Sequence, residues 1–241
     1  MKCDGAVVLG PYEALLFDMD GTILMSLAAA ERAWSAWAHR IRVPAGDVLG
    51  YMHGRRAMDT ISHFLPTTTD IDAEVRWLDE RELEDLDGVA EVPGAGAFLR
   101  ALPSRRWAVV TSANRALALK RIEAAGLPAP PVLVSSDDVS IGKPDPEGYI
   151  RATQILRVKA TSCVVFEDTH AGLTAGFAAG AEVVRIAGTQ AADELPVRMT
   201  VDGYKGISAS LEGNSVRLAI SRQQQPEWRS AVQECGSDKS P

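Results

Sequence analysis

The sequence predicts an α/β protein: a doubly wound parallel sheet with a block of helices inserted after its first strand. Three observations predict it. Short apolar runs rich in Val alternate with helical patterns along most of the chain. One long interval, residues 26–88, breaks that rhythm and carries helical periodicity alone. Several of the apolar runs end in chemically active side chains, as strands of an open parallel sheet do at their carboxyl edge.

The strands, in order, are EALLF (13–17), RWAVVTS (106–112), PVLVSS (131–136), SCVVFED (162–168) and AEVVRIA (181–187). Each is brief and bounded by polar or turn residues, the pattern of a strand buried on both faces. Helices are expected at 94–102, 115–125, 146–156 and 171–179, with Asp145 as N-cap and Pro146 in the first position of the third. Within the insert, SLAAAERAWSAWAHRI opens on Ser26 as an N-cap. Trp34 and Trp37 stand at helical spacing and read as the insert's own core. DIDAEVRWLDERELEDL is amphipathic, and its acidic run 79–87 reads as a solvated helix face. VPGAG (92–96) returns the chain to the alternating pattern, so the two connections flanking the insert are the expected hinges. The division that follows is a core of 1–25 and 89–220, a helical insert of 26–88, and a polar, aperiodic tail of 221–241. NSVRLAI (214–220) is read as a peripheral strand.

Composition narrows the function. The chain has 241 residues, 46% hydrophobic and 24% charged, with a formal net charge of −7. That charge argues against nucleic acid or an anionic membrane as the main partner. Cys3, Cys163 and Cys235 are scattered with no CxxC pair, which reads as a reducing, cytoplasmic setting rather than a disulfide framework or a zinc site. No apolar run approaches the ~20 residues of a membrane helix, and no secretory leader pattern stands at the start. Oligomeric state is left open.

The chemistry concentrates at the strand ends. The first strand delivers Asp18 and Asp20, the second Thr111 and Ser112, and a later one Glu167 and Asp168. Lys143 joins them from SIGKPDPEGY. Asp18, Glu167 and Asp168 crowded together repel, and a hard divalent cation with oxygen ligands relieves that; magnesium, held by one or two carboxylates, phosphate and water, suits the set. Lys143 adds positive charge without taking a ligand position, so a phosphate group fits between cation, ammonium, the Thr111 hydroxyl and the N–H groups of the Asp-Gly-Thr turn. An ionised Asp18 could then attack phosphorus, and Asp20, two residues on, could protonate the leaving alkoxide and later deprotonate water.

Four segments carry a resemblance. FDMDGTILMS, VVTSAN, IGKPDPEGY and VVFEDTHAG, in that order, resemble the four motifs of the haloacid dehalogenase-like hydrolase superfamily across nearly all of residues 12–207. The resemblance implies a fold that is α/β, a Rossmann-like doubly wound parallel sheet core with an inserted helical cap. It also implies a Mg2+ requirement, Asp18 as nucleophile, Asp20 as acid/base, Thr111 and Lys143 on the phosphate with Ser112 beside them, and Asp168 on the metal. The metal would also take the Asp20 backbone carbonyl, and Glu167 would either reach it through water or orient Lys143. The segments HGRRAMDTI and ERAWSAWA look like the sugar-phosphatase branch, bacterial hexitol and sugar phosphatases in particular. The expected substrate is therefore a small sugar or polyol phosphate. His53 reads equally as structural or as a substrate contact, and Arg55 and Arg56 follow Gly54 where a loop or helix start can present one of them to an anion.

Two positions depart from the pattern: Met25 stands where many relatives carry Asp or Asn, and Thr169 where serine is frequent. A phosphohexose mutase would share every one of these motifs, and a nucleotide phosphatase would differ only in the cap. Phosphonate cleavage through a cap lysine is disfavoured because residues 26–88 contain no lysine.

Overall fold

The computed structural model describes residues 6–188 and 195–221. The expectations for residues 222–241, and for Cys3 and Cys235, lie outside the described residues. The central strand is β2 (Ala14–Phe17), every residue of which is buried. It is flanked on one side by β5 (Trp107–Val110) and β6 (Leu133–Val134). On its other side lie β7 (Cys163–Glu167), β8 (Glu182–Ile186) and β9 (Met199–Val201). All neighbours in this six-stranded sheet run parallel. The five expected strands are all in it; β9 adds a short sixth at the edge.

Strand periodicity sorts the core into two layers. Leu15 and Phe17 of β2 face one side with Trp107, Val109, Val164 and Phe166. Ala14 and Leu16 face the other with Ala108, Val110, Cys163 and Val165. Helices α5 (Ala95–Ala101) and α6 (Arg115–Ala124) cover the first layer through Phe98, Leu99, Ala118 and Ile122. Helices α7 (Glu147–Leu156) and α8 (His170–Ala178) cover the second through Tyr149, Ala152, Leu173 and Ala175. Burial on both faces is why these strands read as continuous apolar runs rather than as an alternation.

Two additions lie outside the expected pattern. A second sheet pairs β1 (Ala6–Tyr12), β11 (Ser215–Ser221) and β10 (Ile207–Glu212) in antiparallel order β1-β11-β10. It brings Leu9, Tyr12, Val216, Leu218 and Ile220 onto the first core layer. The peripheral strand expected at 214–220 is therefore present, and Ser221, assigned by sequence to the tail, closes it. The other addition ties the insert's two connections together: β3 (Leu24–Met25) pairs antiparallel with β4 (Ala90–Glu91).

The insert itself is four helices, α1 (Leu27–Ile41), α2 (Ala45–Met52), α3 (Ala57–Phe64) and α4 (Ile71–Glu84). They pack around their own cluster of Trp34, Trp37, Val48, Ile61 and Leu78. Trp34 and Trp37 meet edge to face with centroids 5.6 Å apart, and Trp37 Nε1 donates to Glu74 at 3.0 Å. The solvated face expected of the acidic run is corrected at two residues: Asp79 is half-buried and lines the cavity between insert and core, and Glu82 is only 6% exposed. It pairs with Arg121 of α6 at 3.0 Å, a partner from another element that the helix's own pattern does not reveal. Two caps also differ. Ser26 stands at the N-cap of α1, but its hydroxyl makes no capping bond and donates to Asp20 Oδ1 instead. Helix α7 begins at Glu147, one residue later than expected, although Asp145 Oδ1 accepts the Glu147 N–H as a capping side chain would. No helix among the described residues is long and apolar enough to cross a membrane.

Candidate active site

Asp18 follows β2, Thr111 follows β5, and Asp168 follows β7, so three adjacent parallel strands present their carboxyl ends to one place. Asp18, Glu167 and Asp168 bring carboxylate oxygens within 4.8 Å of one another. All three side chains are buried. Lys143 reaches in from the loop before α7 and donates to Asp18 Oδ1, and to Glu167 Oε1 at 2.6 Å. The lysine is 7% exposed and the aspartate 6%.

Glu167 is engaged at both oxygens. Oε1 accepts from Lys143 and from the Tyr149 hydroxyl at 3.2 Å. Oε2 accepts the backbone N–H groups of Asp168 at 2.8 Å and Thr169 at 3.0 Å, with the Thr169 hydroxyl at 3.2 Å. Glu167 is thus bonded to the Lys143 ammonium through Oε1 and to the start of α8 through Oε2. Asp168 Oδ1 accepts from the Thr22 hydroxyl at 3.1 Å, which links the later strand to the turn after Asp20. That turn depends on Gly21: its φ is +81°, and a Cβ there would lie 2.1 Å from Asp168 Oδ2.

The electrostatics are those of a site short of positive charge. Burial, then the Glu167 carboxylate, push the Asp18 pKa up to about 7, with Lys143 pulling the other way. Burial followed by Glu167 and Asp18 push Asp168 well above the ordinary carboxylate range. Burial works against the Lys143 ammonium, but Asp18 and Glu167 overcome it and hold its pKa well above the usual lysine value. One ammonium faces three carboxylates. A hard divalent cation fits this donor set, because oxygen ligands and unrelieved like charge are what such an ion compensates.

Above the carboxylates lies a cavity of about 470 Å³ between core and insert, within the size range of small-molecule sites. Asp18, Asp20, Thr111 and Asp168 line its floor, and Leu27, Ala30, Trp34 and Met52 supply an apolar wall from the insert. Thr111 is buried there, its hydroxyl accepting the Ala113 N–H at 3.1 Å. Asp20 is partly exposed, and its Oδ1 accepts from Ser26 and from Arg121 Nη1 at 3.0 Å.

The remaining sequence candidates divide. Ser112 lines the cavity, and its hydroxyl donates to the Gly54 carbonyl at 2.8 Å, which ties the insert to the core. Arg56 is held bidentately by Asp59 at 2.8 Å and donates to the carbonyls of Val139 and Ser140, which fixes the start of α3 to the loop that carries Lys143. The Arg55 guanidinium lies 4.4 Å over the Tyr51 ring. His53 lines the cavity, and burial pushes its pKa down, with Glu31 opposing, which favours the neutral imidazole. Its neutrality suits a hydroxyl contact better than an anion contact.

The loop carrying these residues is seated on the core at Gly54, where φ is +73° and a Cβ would lie 2.5 Å from the Thr169 hydroxyl. Gly54→Val is expected to cost about 1–3 kcal/mol, a fall in Tm of roughly 5 °C for a chain of this size. An unchanged thermal melt would mean the loop does not rest there.

Sequence reading missed Arg121, Thr22 and Tyr149. Arg121 had a signal: it shares the buried stripe of α6 with Leu117, Ala118 and Ile122, and a charged residue on an apolar stripe implies a buried partner.

A doubly wound sheet with carboxylates and a lysine at its carboxyl edge, roofed by a helical insert, defines a hydrolase class that comparison identifies. The haloacid dehalogenase-like hydrolase family matches residues 12–180, and the chain belongs to that family. It is 40% identical over 190 residues to hexitol phosphatase A of Escherichia coli K12, covering 77% of this chain and 84% of that protein. It is 35% identical over 192 residues to 2-deoxyglucose-6-phosphate phosphatase 1 of Saccharomyces cerevisiae, covering 71% of this chain and 78% of the relative. In fold it is similar to the crystal structure of CbbY from Rhodobacter sphaeroides in complex with phosphate. The TM-score is 0.69 at 24% identity, over 80% of this chain and 95% of that one.

Proposed function

We propose that this chain is a magnesium-dependent phosphatase that hydrolyses small sugar or polyol phosphates through an aspartyl-phosphate intermediate. The observation that carries the reading is the convergence of Asp18 and Asp168 on the floor of one cavity, with the buried Lys143 ammonium bonded to Asp18 beneath it. The similarity to hexitol phosphatase A and to 2-deoxyglucose-6-phosphate phosphatase 1 supports the substrate class.

Asp18, Asp168 and the backbone carbonyl of Asp20 are the groups that would hold Mg2+. When bound, the ion supplies charge neutralisation of the carboxylates and of the phosphoryl oxygens. Lys143 and the Thr111 hydroxyl bind the remaining phosphoryl oxygens, and Glu167 keeps the lysine in place. The Asp18 carboxylate attacks phosphorus, forming a P–O bond to the enzyme as the bond to the ester oxygen breaks. Asp20 gives its proton to the departing alkoxide. The Asp20 carboxylate then takes a proton from a water that attacks phosphorus, the bond to Asp18 breaks, and inorganic phosphate leaves with both aspartates restored. The apolar wall of the insert excludes bulk water, which strengthens each of these charge interactions. His53, which lines the cavity, would meet substrate hydroxyls.

Phosphate release from a panel of sugar, polyol and nucleotide monophosphates tests the reading. Turnover is expected to require Mg2+, to stop in EDTA, and to favour sugar or polyol phosphates by about tenfold or more in kcat/KM, the scale of one or two well-made substrate contacts. Preference for nucleotides would overturn the substrate class, and isomerised sugar phosphate in place of free phosphate would overturn hydrolysis.

A further inference from the structure

We propose that Arg121 is a positioning residue for Asp20, itself held in place from the insert by Glu82. The proposal deepens the phosphatase reading and rests on it. Arg121 is 3% exposed. It extends from α6 of the core and bridges two carboxylates that belong to different parts of the chain. Its Nη1 donates to Asp20 Oδ1 and its Nη2 to Glu82 Oε1, each at 3.0 Å. Glu82 is carried by α4, the last helix of the insert, and is almost fully buried.

The geometry gives this bridge a task. Among the described residues, both hydrogen bonds to the Asp20 carboxylate, from Arg121 and from Ser26, land on Oδ1. Oδ2 is thereby left to exchange a proton with substrate or water. A carboxylate pinned at one oxygen presents the other in a fixed direction, and proton transfer is sensitive to that direction. Nothing in the bridge resembles an arrangement tuned for stability alone. A buried ion pair is weak evidence of net stabilisation, and the Arg121 Nε, also buried, has no hydrogen-bond partner among the described residues. Because one of the guanidinium's two carboxylate anchors comes from the insert, Asp20 is fully positioned only while α4 sits against α6.

Leaving-group dependence separates positioning from a structural role. An alkoxide needs a proton from Asp20 as it departs, whereas para-nitrophenolate leaves without one. The measurement is kcat/KM, which covers the steps up to phosphoryl transfer, for Arg121→Met, Arg121→Lys and Glu82→Gln. The substrates are the best alkyl phosphate of the panel and para-nitrophenyl phosphate. Arg121→Met is expected to lose about 30-fold or more on the alkyl phosphate, a part of the 10²–10⁴ that a general acid contributes, and less than about 3-fold on the aryl phosphate. The alkyl loss should fall on kcat, with KM nearly unchanged. Arg121→Lys should recover part of it, and Glu82→Gln should show the same selective loss at smaller size. If Arg121→Met does not fold, the same pattern in the other two variants carries the test. Equal losses on both substrates, or none, would overturn the proposal while leaving the phosphatase reading intact. A wild-type protein that releases phosphate from neither substrate would overturn that reading and this inference with it.

Discussion

Asp18→Asn is expected to reduce phosphate release by on the order of 10⁴-fold or more, the scale at which removing a covalent nucleophile acts. The substitution keeps shape and size and removes one negative charge. The carboxylate it replaces is buried beside Glu167 and accepts from Lys143, with its pKa raised to about 7. Removing a charge that its surroundings disfavour leaves the metal-free protein as stable as before or more so. Loss of activity with an unchanged or higher Tm is thus the expected pair of results, read by steady-state release and by a thermal melt in EDTA. Activity retained at more than a few per cent would rule out Asp18 as the attacking group.

Lys143→Met should do the opposite to stability. The ammonium is the cation bonded to both Asp18 and Glu167, and the side chain is nearly inaccessible. Taking away one partner of a buried ion pair costs about 3–5 kcal/mol, or roughly 10 °C in Tm for a chain of this size. In EDTA the deficit should shrink at low pH. The folded-state Asp18 pKa is already raised to about 7 with Lys143 pulling it down, and loss of the ammonium raises it further. The folded variant therefore takes up a proton at low pH that relieves the repulsion, and stability falls as pH rises from the ordinary carboxylate range through that raised value. Turnover should fall as well, since the phosphate loses its direct cation. A variant with wild-type Tm at pH 8 in EDTA would show that Lys143 does not hold the carboxylates together.

The central sheet and its chemistry were readable in the sequence for one reason. Strands β2, β5, β7 and β8 are buried almost throughout, so they appear as apolar runs, and the polar residue ending a run stands out. The elements that escaped are those whose pairing is set at a distance. Strand β9 has three residues and β3 and β4 two each, too few for a period to register. Strand β1 is half-exposed, and its partner β11 lies some two hundred residues further along the chain. The same limit applies to side chains. Asp18, Lys143 and Asp168 were found because each adjoins a recognisable strand end or turn. Arg121 and Glu82 each sit inside an ordinary helix, and only the packing of α4 on α6 makes them partners. Ser26 shows the same limit: a capping hydroxyl accepts from the first helix N–H groups, but here the side chain is turned to donate to the Asp20 carboxylate, a partner fixed by the fold.

The most direct test of covalent catalysis is to trap the enzyme during turnover. Acid quenching under saturating substrate, followed by borohydride reduction and peptide mass analysis, converts an acyl phosphate into a reduced side chain at the residue that carried it. The modification is expected on the peptide containing Asp18 and at Asp18 itself, absent without substrate and absent in Asp18→Asn. A reduced residue elsewhere would contradict the mechanism, as would none in Asp20→Asn releasing phosphate from para-nitrophenyl phosphate, whose leaving group needs no proton, so that only breakdown of the phosphoenzyme is slowed.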